Sequence, residues 1–409
     1  MVTTNIQTAR SAGRRRVLAL VLPLATLAAG VCAALPAYAD VPTIVQNNTA
    51  GAFADDQVYV TILGKDPVTG NLSWVSADGQ LVAASVGDND ADGHLSKNGQ
   101  NYPNHGFTLA QAQNLKLPKM SSGRIYVSVG EPVYLKILVA ADGLTGFAGP
   151  NPQNPTDANN DVKLDWYEFT YNDSGLWINT TQVDQFGFPL TLNVTGEGGF
   201  QKRVGIEQSR ASIYAAFKAE VPPEFVSEAE SDTRILAPGK STFDTGQPNE
   251  HYFDSYIDQA WADYSTRPLV IDLWGGARRF SGQVQGTTLV FNEVDLGNGA
   301  YVGGQYLVQK PTTQDVLEAK GSLAQGNDAE KALETQISAA FNRHVISDVS
   351  KWSDPTAWYQ TAPANYYARF WHDHSIDRLA YGFAYDDAQE QSSTVNTAAP
   401  TQITLGVGW

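Results

Sequence analysis

Cysteine is almost missing from this chain of 409 residues: Cys32 is the only one. It lies in an apolar run near the N-terminus, so nothing after residue 39 can form a disulfide, a thiolate metal site or a cysteine nucleophile. Positive charge is also scarce, with 27 Lys and Arg against 43 Asp and Glu for a net charge of −16. Four of those cations (Arg10, Arg14, Arg15 and Arg16) precede residue 40 with no acid among them, so taking them away leaves −20. Such a surface disfavours nucleic acid and anionic membranes and suits a neutral ligand. There is no Gly-x-Ser-x-Gly elbow, no phosphate-binding loop and no Gly-x-Gly-x-x-Gly after a strand. Serine-nucleophile, nucleotide and nicotinamide chemistry therefore have no foothold. A cofactor is not expected.

What is present begins with an export signal. The basic cluster leads into an apolar run from Val17 to about Leu35, and Ala37-Tyr38-Ala39 is a small-x-small cleavage site. Residues 1–39 are read as a signal peptide cleaved before Asp40, and the remaining protein as secreted, with no membrane association afterwards. About 370 residues are enough for a large core without disulfides.

Beyond the signal, short β-branched and aromatic runs are punctuated by Gly, Pro, Asn and Asp. Examples are Gln57 to Gly64, Leu72 to Val75, Arg124 to Gly130 and Val133 to Val139. They predict a β-sandwich or barrel over 40–200. The period then changes. Gln208 to Glu220, Phe253 to Tyr264 and Asp328 to His344 have helical spacing, with strands at Leu269 to Leu273 and Thr288 to Asn292. Residues 201–365 are read as an α/β lobe. From Tyr366 the pattern reads as β again, with strands at Ala380 to Asp386 and Gln402 to Trp409. Residues 366–409 are expected to complete the first lobe, and the fold class is mainly β with an α+β part. The boundary between lobes would form a cleft, a favoured place for ligands.

Two metal-like patterns are weak. Asp88-Asn89-Asp90-Ala91-Asp92-Gly93 imitates a calcium loop, but its twelfth position is Gly99 rather than a bidentate Glu. It is read as a solvated acidic loop. Among His94, His105, His251, His344, His372 and His374, only the His372-x-His374 pair is clustered, and it lacks an evident third ligand. No metal site is predicted.

That leaves carboxylates. Glu168 interrupts the aromatic run Trp166 to Tyr171, where a charge is normally excluded. On a strand, Trp166, Glu168 and Thr170 share one face, while Tyr167, Phe169 and Tyr171 share the other. Aromatic neighbours would desolvate Glu168 and raise its pKa, as a general acid requires. Glycoside hydrolysis needs such an acid and a second carboxylate. Asp184 is one candidate. If Asn172 to Gly175 is a simple turn, Glu168 pairs near Asn179, and Asp184 then falls on the order of 16 Å along the strand. Periodicity does not choose it over Asp165 or Asp173.

The string Trp-Tyr-Glu-Phe-Thr-Tyr-Asn from Trp166, followed by Gly175 to Pro189, resembles the signature of glycoside hydrolase family 64. Asn365 to Phe370 and Ala380 to Asp387 resemble the same family. These are secreted bacterial β-1,3-glucanases of the laminaripentaose-producing type, in the thaumatin-like superfamily. The resemblance implies a thaumatin-like β-barrel or sandwich lobe beside the α/β lobe, with a wide groove between them. It implies an inverting, endo-type monomeric enzyme acting on β-1,3-glucan. Glu168 would be the general acid and Asp184 the general base, with Thr170, Asn172, Trp177 and Thr181 contacting substrate. A non-catalytic β-1,3-glucan-binding protein of the same fold is the alternative. The strand pair would have to bulge or curl for Asp184 to reach Glu168.

Overall fold

The computed structural model describes residues 40–409; the predicted signal peptide lies outside the described residues. The alternating runs become two sheets. The larger one has the order Val395–Thr397, Gly175–Thr180, Lys163–Asn172, Met120–Val129, Val58–Lys65, Leu72–Val75 and Leu81–Ala83, with Phe107–Thr108 beside Val58–Lys65. The second has the order Gln201–Gly205, Leu190–Gly196, Pro400–Gly408, Val41–Asn48 and Lys116–Leu117. The predicted C-terminal strand returns to the N-terminal sheet, running parallel to Val41–Asn48 with Thr43 opposite Ile403.

Period two explains the packing. Val58, Val60, Ile62, Ile125, Val127, Tyr167, Phe169 and Tyr171 point from the larger sheet into a core they share with Leu190, Leu192, Ile403 and Leu405 of the smaller one. The Tyr167, Phe169 and Tyr171 face is thus interior, as read from the sequence. On the opposite face of the larger sheet, Tyr126, Leu164 and Trp166 pack against Val133, Leu135, Ile137 and Val162. The segment 130–162 covers only part of that face. Glu168, Thr170, Asn172, Trp177 and Asn179 remain half-exposed beyond it.

A second core contains the helices. Arg210–Glu220, Asp254–Thr266, Asp328–Asn342 and Tyr366–His374 share it with the sheet Leu269–Leu273, Arg278–Gln285, Thr288–Val294 and Tyr301–Gln309. Every pairing in that sheet is antiparallel, so this part of the chain is α+β in character rather than βαβ. Among the described residues no helix is long and apolar enough to cross a membrane.

Two expectations after residue 365 are corrected. Tyr366–His374 is a helix, started by the Asn365 side chain accepting the Ala368 N–H. Its aromatic composition imitates a strand, yet Tyr367, Ala368, Phe370, Trp371 and His372 are buried along one side at helical spacing. Ala380 to Asp386 is a series of turns, not a strand. The buried Asp386 carboxylate accepts the Gly382 N–H at 2.9 Å and faces Arg343 and His372, so the chain folds around it. His372 is thereby a structural histidine. In the Asp88 loop, Asp88 accepts the Ser85 N–H and meets His105 at 3.0 Å, and Asp90 accepts from Asn101.

Candidate active site

The site begins with the hairpin. Glu168 pairs with Asn179 and Thr170 with Trp177 across the antiparallel strands, in the register expected from a short turn. These four side chains therefore share the open face. Asn172 closes the hairpin, its amide oxygen accepting the Ser174 N–H. On the other side of the same strand Glu168 lies opposite Arg124. Arg124 Nη2 is 3.0 Å from Glu168 Oε1, while Nη1 donates to the Tyr126 hydroxyl at 3.1 Å and the guanidinium lies over Trp166. Burial opposes its charge, but Tyr126, Glu168 and Asp184 together raise the Arg124 pKa further.

After Thr180 the chain leaves the sheet. Regular pairing would carry the next residues straight down the strand past Trp166 and Asp165. Instead Gly187 is the residue that reaches Asp165, donating its N–H to Oδ2 at 2.8 Å, and Gln185 Nε2 donates to the Leu164 carbonyl. The intervening residues bulge outwards, and Asp184 rides on the bulge. Thr181 Oγ1 accepts the Val183 N–H at 3.2 Å. The Gln182 N–H donates to the Tyr381 carbonyl, and the Gln182 carbonyl accepts from the Tyr367 hydroxyl at 2.6 Å. The Asp184 carbonyl accepts the Ala237 N–H at 3.0 Å. The three stretches singled out in the sequence, 166–189, 365–370 and 380–387, meet on this bulge.

The three acids left open by periodicity now separate. Asp165 is buried and accepts backbone N–H groups from Trp166 and Gly187; burial pushes it up to about 7. Asp173 is 93% exposed at the hairpin tip, beside Lys119. Asp184 is half-buried and stands 3.5 Å from Lys240 Nζ. Asp184 and Glu168 both act electrostatically on Arg124 and Tyr126, so they share one neighbourhood.

Thr170, Asn172 and Trp177 lie on the half-exposed face. Thr181 does not: it is 2% exposed, and its hydroxyl holds the bulge. The open face continues past Thr170, whose hydroxyl accepts the Ser122 N–H, into a hollow of about 440 Å³ beside Arg124, Lys65, Thr145 and Phe147. Residues not foreseen from sequence are Arg124, Tyr126, Lys240 and Tyr381. Burial, with the Asp387 and Glu168 charges adding, holds the Tyr381 phenol well above its usual range. Arg124 carried the same signal as Glu168, a charge inside an apolar strand.

Two carboxylates in one neighbourhood, beside a half-exposed tryptophan and a row of amides and hydroxyls, are the groups that glycoside hydrolysis on an open face would use. The chain belongs to glycoside hydrolase family 64, the β-1,3-glucanases, whose sequence profile matches residues 39–407. A glucan endo-1,3-β-glucosidase of Cellulosimicrobium cellulans is 28% identical over 392 residues, 93% of this chain and 68% of that protein. The β-1,3-glucanase domain from Clostridium beijerinckii is 42% identical with a TM-score of 0.85, the match covering 90% of this chain and 98% of that one. The laminaripentaose-producing β-1,3-glucanase of Paenibacillus barengoltzii, solved with laminarihexaose, is 34% identical with a TM-score of 0.72 over 93% and 79% of the two chains.

Proposed function

We propose that this β-1,3-glucanase is a secreted, monomeric, inverting endo-enzyme that cuts β-1,3-glucan into short oligosaccharides such as laminaripentaose. Glu168 is the general acid and Asp184 the general base. The observation that carries this reading is the bulge after Thr180: it takes Asp184 out of strand register and into the neighbourhood of Arg124 and Tyr126 that Glu168 occupies. Asp165 and Asp173 are respectively buried and remote at the hairpin tip.

In this reading Glu168 gives its proton to the glycosidic oxygen as the C1–O bond breaks. Asp184 takes a proton from a water whose oxygen bonds to C1 on the opposite face, so the anomeric configuration inverts. Trp177 stacks on a sugar ring, and Thr170 and Asn172 bind hydroxyls. Thr181 contributes by holding the bulge. The sandwich lobe is the thaumatin-like part, completed by the C-terminal strand, and the glucan lies in a wide groove between it and residues 201–365. Family membership supports β-1,3-glucan as the substrate.

The test is laminarin hydrolysis by Glu168→Gln and Asp184→Asn, with product anomers followed by proton NMR. Loss of reducing-end release in both folded variants, and α-configured product from the wild type, are expected. Full activity in either variant removes that residue from its role, and a β-configured first product refutes inversion.

A further inference from the structure

Asp184 has a cation of its own, and that cation is mounted on a separate piece of the molecule. Gln185 pairs with Leu236 and Phe186 with Ile235, extending the contact between the Asp184 carbonyl and the Ala237 N–H. The turn Pro238–Lys240 follows at once, closed by the Lys240 N–H on the Ala237 carbonyl. It brings Lys240 Nζ to 3.5 Å from Asp184 Oδ1 and 3.3 Å from Glu318 Oε2. Glu318 ends the helix Thr313–Glu318, is 12% exposed in its side chain, and also meets Lys320 at 2.9 Å and Gln314 at 3.2 Å. Gly239 makes room for it: a Cβ there would stand 2.6 Å from Glu318 Cγ.

We infer that Lys240, braced by Glu318, is a positioning residue for the hydrolysis that fixes the Asp184 carboxylate in place as an anion ready to accept a proton. The inference rests on the reading of Asp184 as the general base. The charged and titratable groups acting on or affected by Asp184 are Lys240 of the turn, Arg124 and Tyr126 of the larger sheet, and Tyr367 of the helix. Arg124 is already paired with Glu168. Lys240 is therefore the cation whose loss Asp184 would feel most. Burial lowers the Lys240 pKa, but Asp184 and Glu318 outweigh it and the net direction is upward, so the ammonium persists.

The experiment is the pH dependence of kcat/KM on laminarin for wild type, Lys240→Met, Lys240→Arg and Glu318→Gln, with melting temperatures as a folding control. The acidic limb of kcat/KM reports the base in the free enzyme. In Lys240→Met it is expected to move to higher pH, with the basic limb in place. Lys240→Arg should restore most of the shift, and Glu318→Gln should show a smaller one. A merely structural role would lower activity evenly across pH. A Lys240→Met profile parallel to wild type, with Asp184→Asn inactive, overturns this inference alone. Activity in Asp184→Asn removes the base assignment and the inference with it.

Discussion

Replacing Gly187 by alanine tests the bulge at the point where it rejoins the sheet. A Cβ on Gly187 would lie 2.1 Å from the Leu164 carbonyl oxygen and 2.9 Å from its carbon. Both are backbone atoms of the strand that carries Glu168, so no flexible side chain can give way. The two segments must separate by about 1 Å, and overpacking of that kind costs about 1–3 kcal/mol. The same separation weakens the 2.8 Å bond from the Gly187 N–H to Asp165. Asp165 is 2% exposed, and stripping a partner from a buried polar group costs a further 1–3 kcal/mol or so. The sum is about 2–6 kcal/mol, or on the order of 3–8 °C in melting temperature for a protein of this size. Because Gly187 follows Asp184 by three positions, kcat should fall by more than KM rises. Calorimetry and laminarin kinetics on Gly187→Ala check this. A variant with wild-type melting temperature and wild-type kcat would refute the account of the bulge as a tightly seated device.

Other outcomes follow from the same geometry. Burial pushes Glu334 up to about 8 and Glu228 up to about 7, as it does Asp165. Their folded pKa values exceed the unfolded ones, so their stabilisation is full below about pH 4 and is lost as pH rises through 7–8. The melting temperature should fall from pH 5 to pH 9, and Glu334→Gln should flatten that slope. Asp386 behaves in the opposite sense: burial opposes its charge, but His372 and Arg343 hold its pKa below the usual value, so its contribution is lost on acidification. Asp386→Asn breaks a fully buried pair and should cost about 3–5 kcal/mol by chemical denaturation. Trp177→Ala removes a half-exposed ring from the open face and should raise KM on the order of tenfold, with little change in melting temperature. Thr181→Val should lower kcat through the lost Val183 bond rather than raise KM, which separates holding the bulge from touching sugar.

Legibility in the sequence followed the range of the interaction. The sandwich core was readable because Tyr167, Phe169 and Tyr171 alternate strictly with Glu168 and Thr170, and a strand has no other way to bury them. The helices Arg210–Glu220 and Asp328–Asn342 were readable from their spacing, and the latter carries a reciprocal cap between Asn327 and Glu330. The strands Arg278–Gln285 and Tyr301–Gln309 escaped notice. The second is exposed over its first five residues and contains Gly303 and Gly304, so it shows no clear alternation. Arg124 opposite Glu168 needed the pairing of two strands far apart in sequence. Lys240 and Glu318 lie in a turn and at a helix end, where no period marks them.

Asp184 is the instructive case, because its position is not a property of its own strand. Strand rise carried it away from Glu168; the bulge that brings it back is held by Tyr367 and Tyr381 on one side and Ala237 on the other. Phe186, immediately beyond the bulge, is buried in the helical core, while Phe188 is buried in the sandwich core. The chain therefore crosses from one core to the other within a few residues, and Asp184 sits at that crossing. The strand that carries Glu168 belongs to the sandwich core, but the location of Asp184 and its cation depends on both cores being in place. The recognisable strings lie far apart in sequence yet meet here: Trp166 to Asn172 carries Glu168, whereas Asn365 to Phe370 and Ala380 to Asp387 supply Tyr367 and Tyr381, which hold the bulge that carries Asp184. A substitution deep in the helical core, far from the open face, should on this argument displace Asp184 before it displaces Glu168.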